Sequence, residues 1–126
     1  MLLSLQDNLP FTSVTIAYRG KRLETQNVLI DTGSATTILS ADIVQSIQII
    51  PEPDDTLYTI RGVGGSEVVF SRKVDQIEIG ERRLKSFEIE IGAMEYGFEI
   101  NGILGMDFLT KAKAIINLHE LKIEFA

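Results

Sequence analysis

The 126-residue chain has no cysteine. A disulfide framework and a thiolate metal site are thereby excluded, and the single histidine, His119, cannot build an imidazole cluster. Basic residues are also in deficit. Twelve Lys and Arg stand against eighteen Asp and Glu, a formal charge of −6, so a phosphate backbone or an anionic membrane surface is repelled on average. No nucleic-acid partner, membrane partner, metal or cofactor is expected. No stretch approaches the roughly eighteen consecutive apolar residues of a membrane span. Met1 to Leu5 lack a basic flank, and their apolar run ends at Gln6, Asp7 and Asn8, which is unlike a signal peptide. A cytoplasmic protein forming a single domain over residues 1–126 is the resulting expectation.

Against these absences stands one equipped stretch, Val28 to Ser34. Val28, Leu29 and Ile30 read as a strand in a core, and they run straight into Asp31, Thr32, Gly33 and Ser34. Gly33 permits backbone angles or a close approach that a side chain forbids. Taken alone, an Asp-Thr-Gly triplet is equally the signature of an ordinary turn or helix cap.

Alternation predicts the surrounding elements. Ser13 to Tyr18 and Leu23 to Ile30 read as a hairpin about Arg19, Gly20 and Lys21, with Asp31 delivered at its end. Ser40 is placed to cap a short helix from Ala41 to about Ile47. Leu57 to Ile60 and Glu67 to Phe70 flank Arg61 to Ser66, a hairpin tip with three glycines in six residues. Two strands follow around Gly80 to Arg82, with Glu88 and Glu90 on a solvated face. A strand over Phe98 to Leu104, a short helix from Gly105 to about Ala112 and two strands ending at Phe125 complete the chain. Asp107 is read as a helix-capping anion, and His119 as an exposed turn residue.

Three segments in order resemble the retropepsin-like, or retroviral-type, aspartic proteases. Asp31 to Ser34 look like the active-site loop, Arg61 to Ser66 like the glycine-rich flap, and Asn101 to Leu109 like the apolar pair plus glycine that leads into the C-terminal helix. The resemblance covers nearly the whole chain, about Phe11 to Phe125. It implies an all-β, mainly antiparallel acid-protease barrel with one or two short helices. It also implies an aspartic endopeptidase acting on polypeptide, with Asp31 as catalytic acid or base, Thr32 bracing the loop and Gly33 admitting the backbone near the carboxylates. Substrate contacts are implied for Ser34, for Gly62, Val63, Gly64 and Gly65 of the flap, and for Ile30 and Ile103 as apolar walls.

Hydrolysis by carboxylates alone needs one to activate water and another to protonate the leaving group, the two sharing one proton because like charges about 3 Å apart cannot both ionise. The chain has a single Asp-Thr-Gly. A twofold homodimer supplies the second carboxylate from an identical Asp31, and Met1 to Leu5 with Leu121 to Ala126 are apolar enough to knit it. Two alternatives remain at this level: a catalytically silent retropepsin-like module for peptide binding or dimerisation, and a phosphate loop of an actin-like ATPase. The second is set aside, because the chain has neither a second nucleotide lobe nor a basic phosphate clamp.

Overall fold

A computed structural model describes residues 1–62 and 65–126, with only the backbone described at 61 and 62. Ten strands and two short helices follow in the order β1 (Ser4–Gln6), β2 (Leu9–Tyr18), β3 (Lys21–Ile30), β4 (Ile38–Ser40), α1 (Ala41–Val44), β5 (Tyr58–Gly62), β6 (Gly65–Ile79), β7 (Arg82–Gly92), β8 (Gly102–Leu104), α2 (Met106–Lys111), β9 (Ala114–Asn117) and β10 (Lys122–Phe125). The all-β, mainly antiparallel architecture expected from the sequence is therefore present. A 3-10 turn over Gln45–Ile47 extends α1.

The main sheet runs β1-β2-β3-β8-β4-β7-β6-β5, and a further pairing of β2 with β6 closes it into a barrel. Alternation explains which side of each strand faces in. Val14, Ile16 and Tyr18 of β2 are buried while the residues between them are half-exposed. An extra residue in β3 lies opposite Ser13, where the register shifts between Thr12↔Val28 and Val14↔Thr25, and Asn27 there adopts φ 56. Such a bulge bends the strand. Beyond it, Val28, Leu29 and Ile30 pair in parallel with Gly102, Ile103 and Leu104. Asp31 thus leaves β3 between two interior strands.

Several expectations shift. The strands foreseen before and after Ser71 are one fifteen-residue strand, β6. Arg72 in its middle is buried because its guanidinium donates to the Ile50 carbonyl at 3.0 Å, to Asp55 at 2.6 Å and to the Tyr18 hydroxyl at 3.3 Å. Glu90 is 5% exposed and not on a solvated face; it lies opposite Ser71 on β6 and Ile38 on β4. The strand expected over Phe98 to Leu104 shortens to β8, because Asn101 turns its amides to the β3 bulge: its N–H donates to Asn27 O at 3.0 Å and its Nδ2 to Gln26 O at 2.9 Å. Ser40 precedes α1 but makes no side-chain cap hydrogen bond. His119 is exposed, as expected.

Two apolar clusters fill the interior. The larger gathers Ile16, Val28, Leu39, Ile77, Ile89, Leu104 and Phe108, and the smaller gathers Phe11, Ile38, Val69, Met94 and Ile100. Leu29, Ile60, Tyr96 and Ile103 pack partly buried on the smaller one. Phe108 seats α2 on the barrel, fully buried and edge-on to Phe87 with ring centroids 6.0 Å apart. Phe108→Ala should cost about 3–5 kcal/mol, read as a lower denaturant midpoint; a loss below about 1 kcal/mol would show that α2 is not held by this contact.

Candidate active site

The parallel ladder between β3 and β8 continues one step past the strand, so that the Asp31 N–H donates to Leu104 O at 3.0 Å. The chain then turns on its own groups. Ser34 N–H donates back to Asp31 O at 3.1 Å, and Gly33 N–H donates to Asp31 Oδ1 at 2.9 Å. One carboxylate oxygen is thereby oriented by the loop itself. A Cβ at Gly33 would stand 3.1 Å from that oxygen, which makes the close approach, and not a positive φ, the reason for glycine.

A second layer holds the loop from below. Ser34 Oγ donates to Thr36 O at 2.7 Å, and Ser34 O accepts the Met106 N–H at 2.8 Å. Asp107 Oδ2 accepts the Thr37 N–H at 3.1 Å, and its Oδ1 accepts the Thr37 hydroxyl at 2.7 Å and the Phe108 N–H at 2.7 Å. The same Thr37 hydroxyl oxygen accepts the Gly105 N–H at 3.1 Å. Asp107 was expected to cap α2; its carboxylate instead chiefly binds the segment after Asp31, while Gly105 occupies the cap position. No side chain fits at Gly105, where a Cβ would collide with the Thr36 backbone. Ionic acceptors make such bonds about twice as strong as neutral ones.

Asp31 is half-exposed and opens onto a cavity of about 830 Å³. Ile30, Gly33, Ser34, Gly65 and Ile103 line it with Asp31, and Leu29, Ile38 and Ile60 add to an apolar wall. Its volume lies within the range of small-molecule and peptide sites. Beside Asp31 and the Tyr96 phenol, the one ionisable group on the wall among the described residues is Glu67. Its Oε2 accepts the Tyr96 hydroxyl at 2.6 Å, and its Oε1 accepts the Met94 N–H at 2.6 Å. Burial first, and then the hydrogen bond and charge of Glu67, push the Tyr96 phenol well above its ordinary value.

The sequence profile of the gag-polyprotein putative aspartyl protease family matches residues 20–111. The chain belongs to that family. Among solved structures it is similar to a retropepsin-like aspartic protease from Rickettsia conorii, with TM-score 0.68 and 16% identity over 98% of this chain and 97% of that one. It is also similar to EIAV protease complexed with the inhibitor HBY-793, with TM-score 0.63 and 26% identity over 89% of this chain and 95% of that one. No curated protein sequence matches it significantly. The barrel of this aspartic-protease family member is thus the retropepsin-like fold.

Of the site residues expected from the sequence, Ile30, Asp31, Gly33, Ser34, Gly65 and Ile103 meet around one cavity. Thr32 is exposed beside it, and its hydroxyl has no partner among the described residues. Gly62 pairs with Gly65 in the β5–β6 hairpin, while Val63 and Gly64 lie outside the described residues. The Ser34 hydroxyl, expected to reach Asp31 or substrate, binds the Thr36 carbonyl. Glu67 and Tyr96 were not foreseen as site residues. They are 29 residues apart and belong to no common motif, so no local signal in the sequence joins them.

The raised Tyr96 pKa has a defined sign. Its contribution to stability is complete below pH 10, the unfolded value of about 10, and is lost only as pH rises through the higher folded value. Tyr96→Phe should therefore lower stability by about 1 kcal/mol, a difference constant through neutral pH that shrinks above about pH 10 in thermal unfolding. A difference that shrinks below neutrality would contradict the assignment.

Proposed function

We propose that the protein is an aspartic endopeptidase that cleaves extended polypeptide with two Asp31 carboxylates, one from each chain of a homodimer. The observation that carries this is a half-exposed carboxylate fixed by Gly33 N–H at 2.9 Å at the edge of a large apolar cavity. In the working pair one Asp31 is ionised and the other protonated. The ionised carboxylate takes a proton from water as its oxygen attacks the scissile carbonyl carbon, and the protonated one donates to the carbonyl oxygen. As the C–N bond breaks, the carboxyl that took the water proton gives it to the leaving nitrogen while the other carboxylate takes a proton from a hydroxyl of the tetrahedral intermediate, so that a carboxylic acid and an amine leave and the pair again holds a single proton.

Thr32, exposed and unpaired within its own chain among the described residues, braces the loop from the facing protomer. The β5–β6 hairpin covers the substrate, since Ile60 and Gly65 already stand on the cavity wall. The terminal segments, however, are engaged within one chain: Ile123 N–H donates to Met1 O at 2.9 Å, and Leu3 N–H donates to Leu121 O at 2.8 Å. The second copy is then met elsewhere. Ile123 turns its backbone groups to Met1, so Ile116 opposite it on β9 turns its own outward. Among the described residues β9 pairs with β10 alone, and the flanking Ile115 and Leu118 are 49% and 63% exposed. Two such edges related by a twofold pair antiparallel, continuing the sheet from one protomer to the next.

Asp31→Asn should abolish cleavage of a mixed peptide library at about pH 5 while leaving thermal unfolding nearly unchanged, and a statine-type inhibitor should reproduce the loss in the wild type. Full activity of Asp31→Asn would remove the proposal. Ile116→Pro deletes the outward N–H and spares the β9–β10 ladder, so sedimentation at micromolar concentration should show a monomer. An intact dimer in that variant would move the interface off β9.

A further inference from the structure

From Gly65 to Val69, the first five residues of β6 pair only with β5; pairing with β7 begins at Phe70↔Ile91. The β5–β6 hairpin therefore projects past the barrel. Among the described residues, two side chains tie this projecting part to the rest of the molecule: at its base the Tyr58 hydroxyl hydrogen-bonds the Ser71 hydroxyl, and nearer its tip Glu67 accepts from Met94 N–H and from the Tyr96 hydroxyl, both at 2.6 Å. Both partners of Glu67 sit in the loop between β7 and β8. The hairpin arm and that loop are two walls of the Asp31 cavity, to which Ile60, Gly65 and Glu67 contribute from one and Tyr96, Phe98 and Ile100 from the other.

The fold makes room for this contact. A Cβ at Gly92 would stand 2.6 Å from Glu67 Oε1 and 3.0 Å from Ile38 Cδ1, so glycine there leaves a slot that the carboxylate fills. A carboxylate opposite Ile60 on a cavity wall that also holds Ile38 and Ile103 is costly unless its oxygens are satisfied, and each oxygen here has one donor.

We propose that Glu67 is a positioning residue that ties the projecting hairpin to the β7–β8 loop and so sets the width of the substrate groove before substrate arrives. Its consequence for cleavage rests on the endopeptidase reading; its consequence for the hairpin does not. A preset groove spares the substrate the cost of ordering both walls. The Tyr96 phenol, held protonated by burial and by Glu67, remains a donor throughout the pH range in which the carboxylate pair works. Asp31 is the other acid on the cavity wall among the described residues.

Tyr96→Phe removes one hydroxyl and keeps the ring in its apolar cluster, and Glu67→Gln keeps an acceptor for one donor. Amide exchange in Tyr58–Gly62 and Gly65–Val69 should quicken about tenfold in Tyr96→Phe and less in Glu67→Gln, while barrel amides that exchange by local openings sparing the Glu67 contact stay unchanged. For cleavage, KM should rise several-fold with kcat held, since the wall is lost equally to substrate and transition state. Unchanged exchange and unchanged KM in Tyr96→Phe would overturn the proposal, as would a fall in kcat at constant KM. If the wild type cleaves no peptide, the endopeptidase reading fails, and the exchange rates alone decide whether Glu67 holds the hairpin.

Discussion

The position of Asp31 depends on a carboxylate far from it in sequence. Asp107 accepts both the amide and the hydroxyl of Thr37, and so fixes the loop to α2, while Phe108, the next residue, buries that helix in the barrel. An anion committed to three donors tolerates little displacement. The loop between β3 and β4 is consequently held at both ends, by Leu104 O at Asp31 and by Asp107 at Thr37. In the proposed site Asp31 rides on a frame made from two contacts between segments about 70 residues apart in sequence. This is what preorganisation would require of the proposed chemistry, which consists of placing two acids.

That frame explains why so small a chain suffices. In the proposed homodimer symmetry supplies the second acid, and the apolar wall of Ile30, Ile38 and Ile103 belongs to the barrel itself. The ionisable side chains of the cavity divide into two kinds. Asp31 is half-exposed with one oxygen held by the loop; Glu67 has a donor on each oxygen and joins two elements. Under the two proposals, the first transfers protons and the second holds shape.

Much of this was legible in the residues. The β2–β3 hairpin, the delivery of Asp31 at a strand end and the β9–β10 pair follow from alternation and turn residues, which are local signals. Where the sequence misled, distant partners decided the outcome. The break expected after Phe70 is absent because Tyr18, Ile50 and Asp55 receive the Arg72 guanidinium and β6 runs through. Glu90 reads as solvated, because strand alternation does not reveal that β4 and β6 flank it on both sides. Phe98 to Asn101 have the composition of a strand, yet the bulge at Asn27 captures Asn101 and ends the pairing. Asp107 was recognised as an anion near a helix start, but its partner Thr37 is 70 residues away.

The central claim, that catalysis needs one Asp31 from each of two chains, is tested most directly by mixing. Wild-type and Asp31→Asn chains are unfolded together, refolded in varying ratio at fixed total concentration, and assayed for peptide cleavage. If the two carboxylates act as a shared pair, activity follows the square of the wild-type fraction, falling to about a quarter at equal proportions. Activity proportional to the wild-type fraction would show that each chain works alone, and would contradict the account.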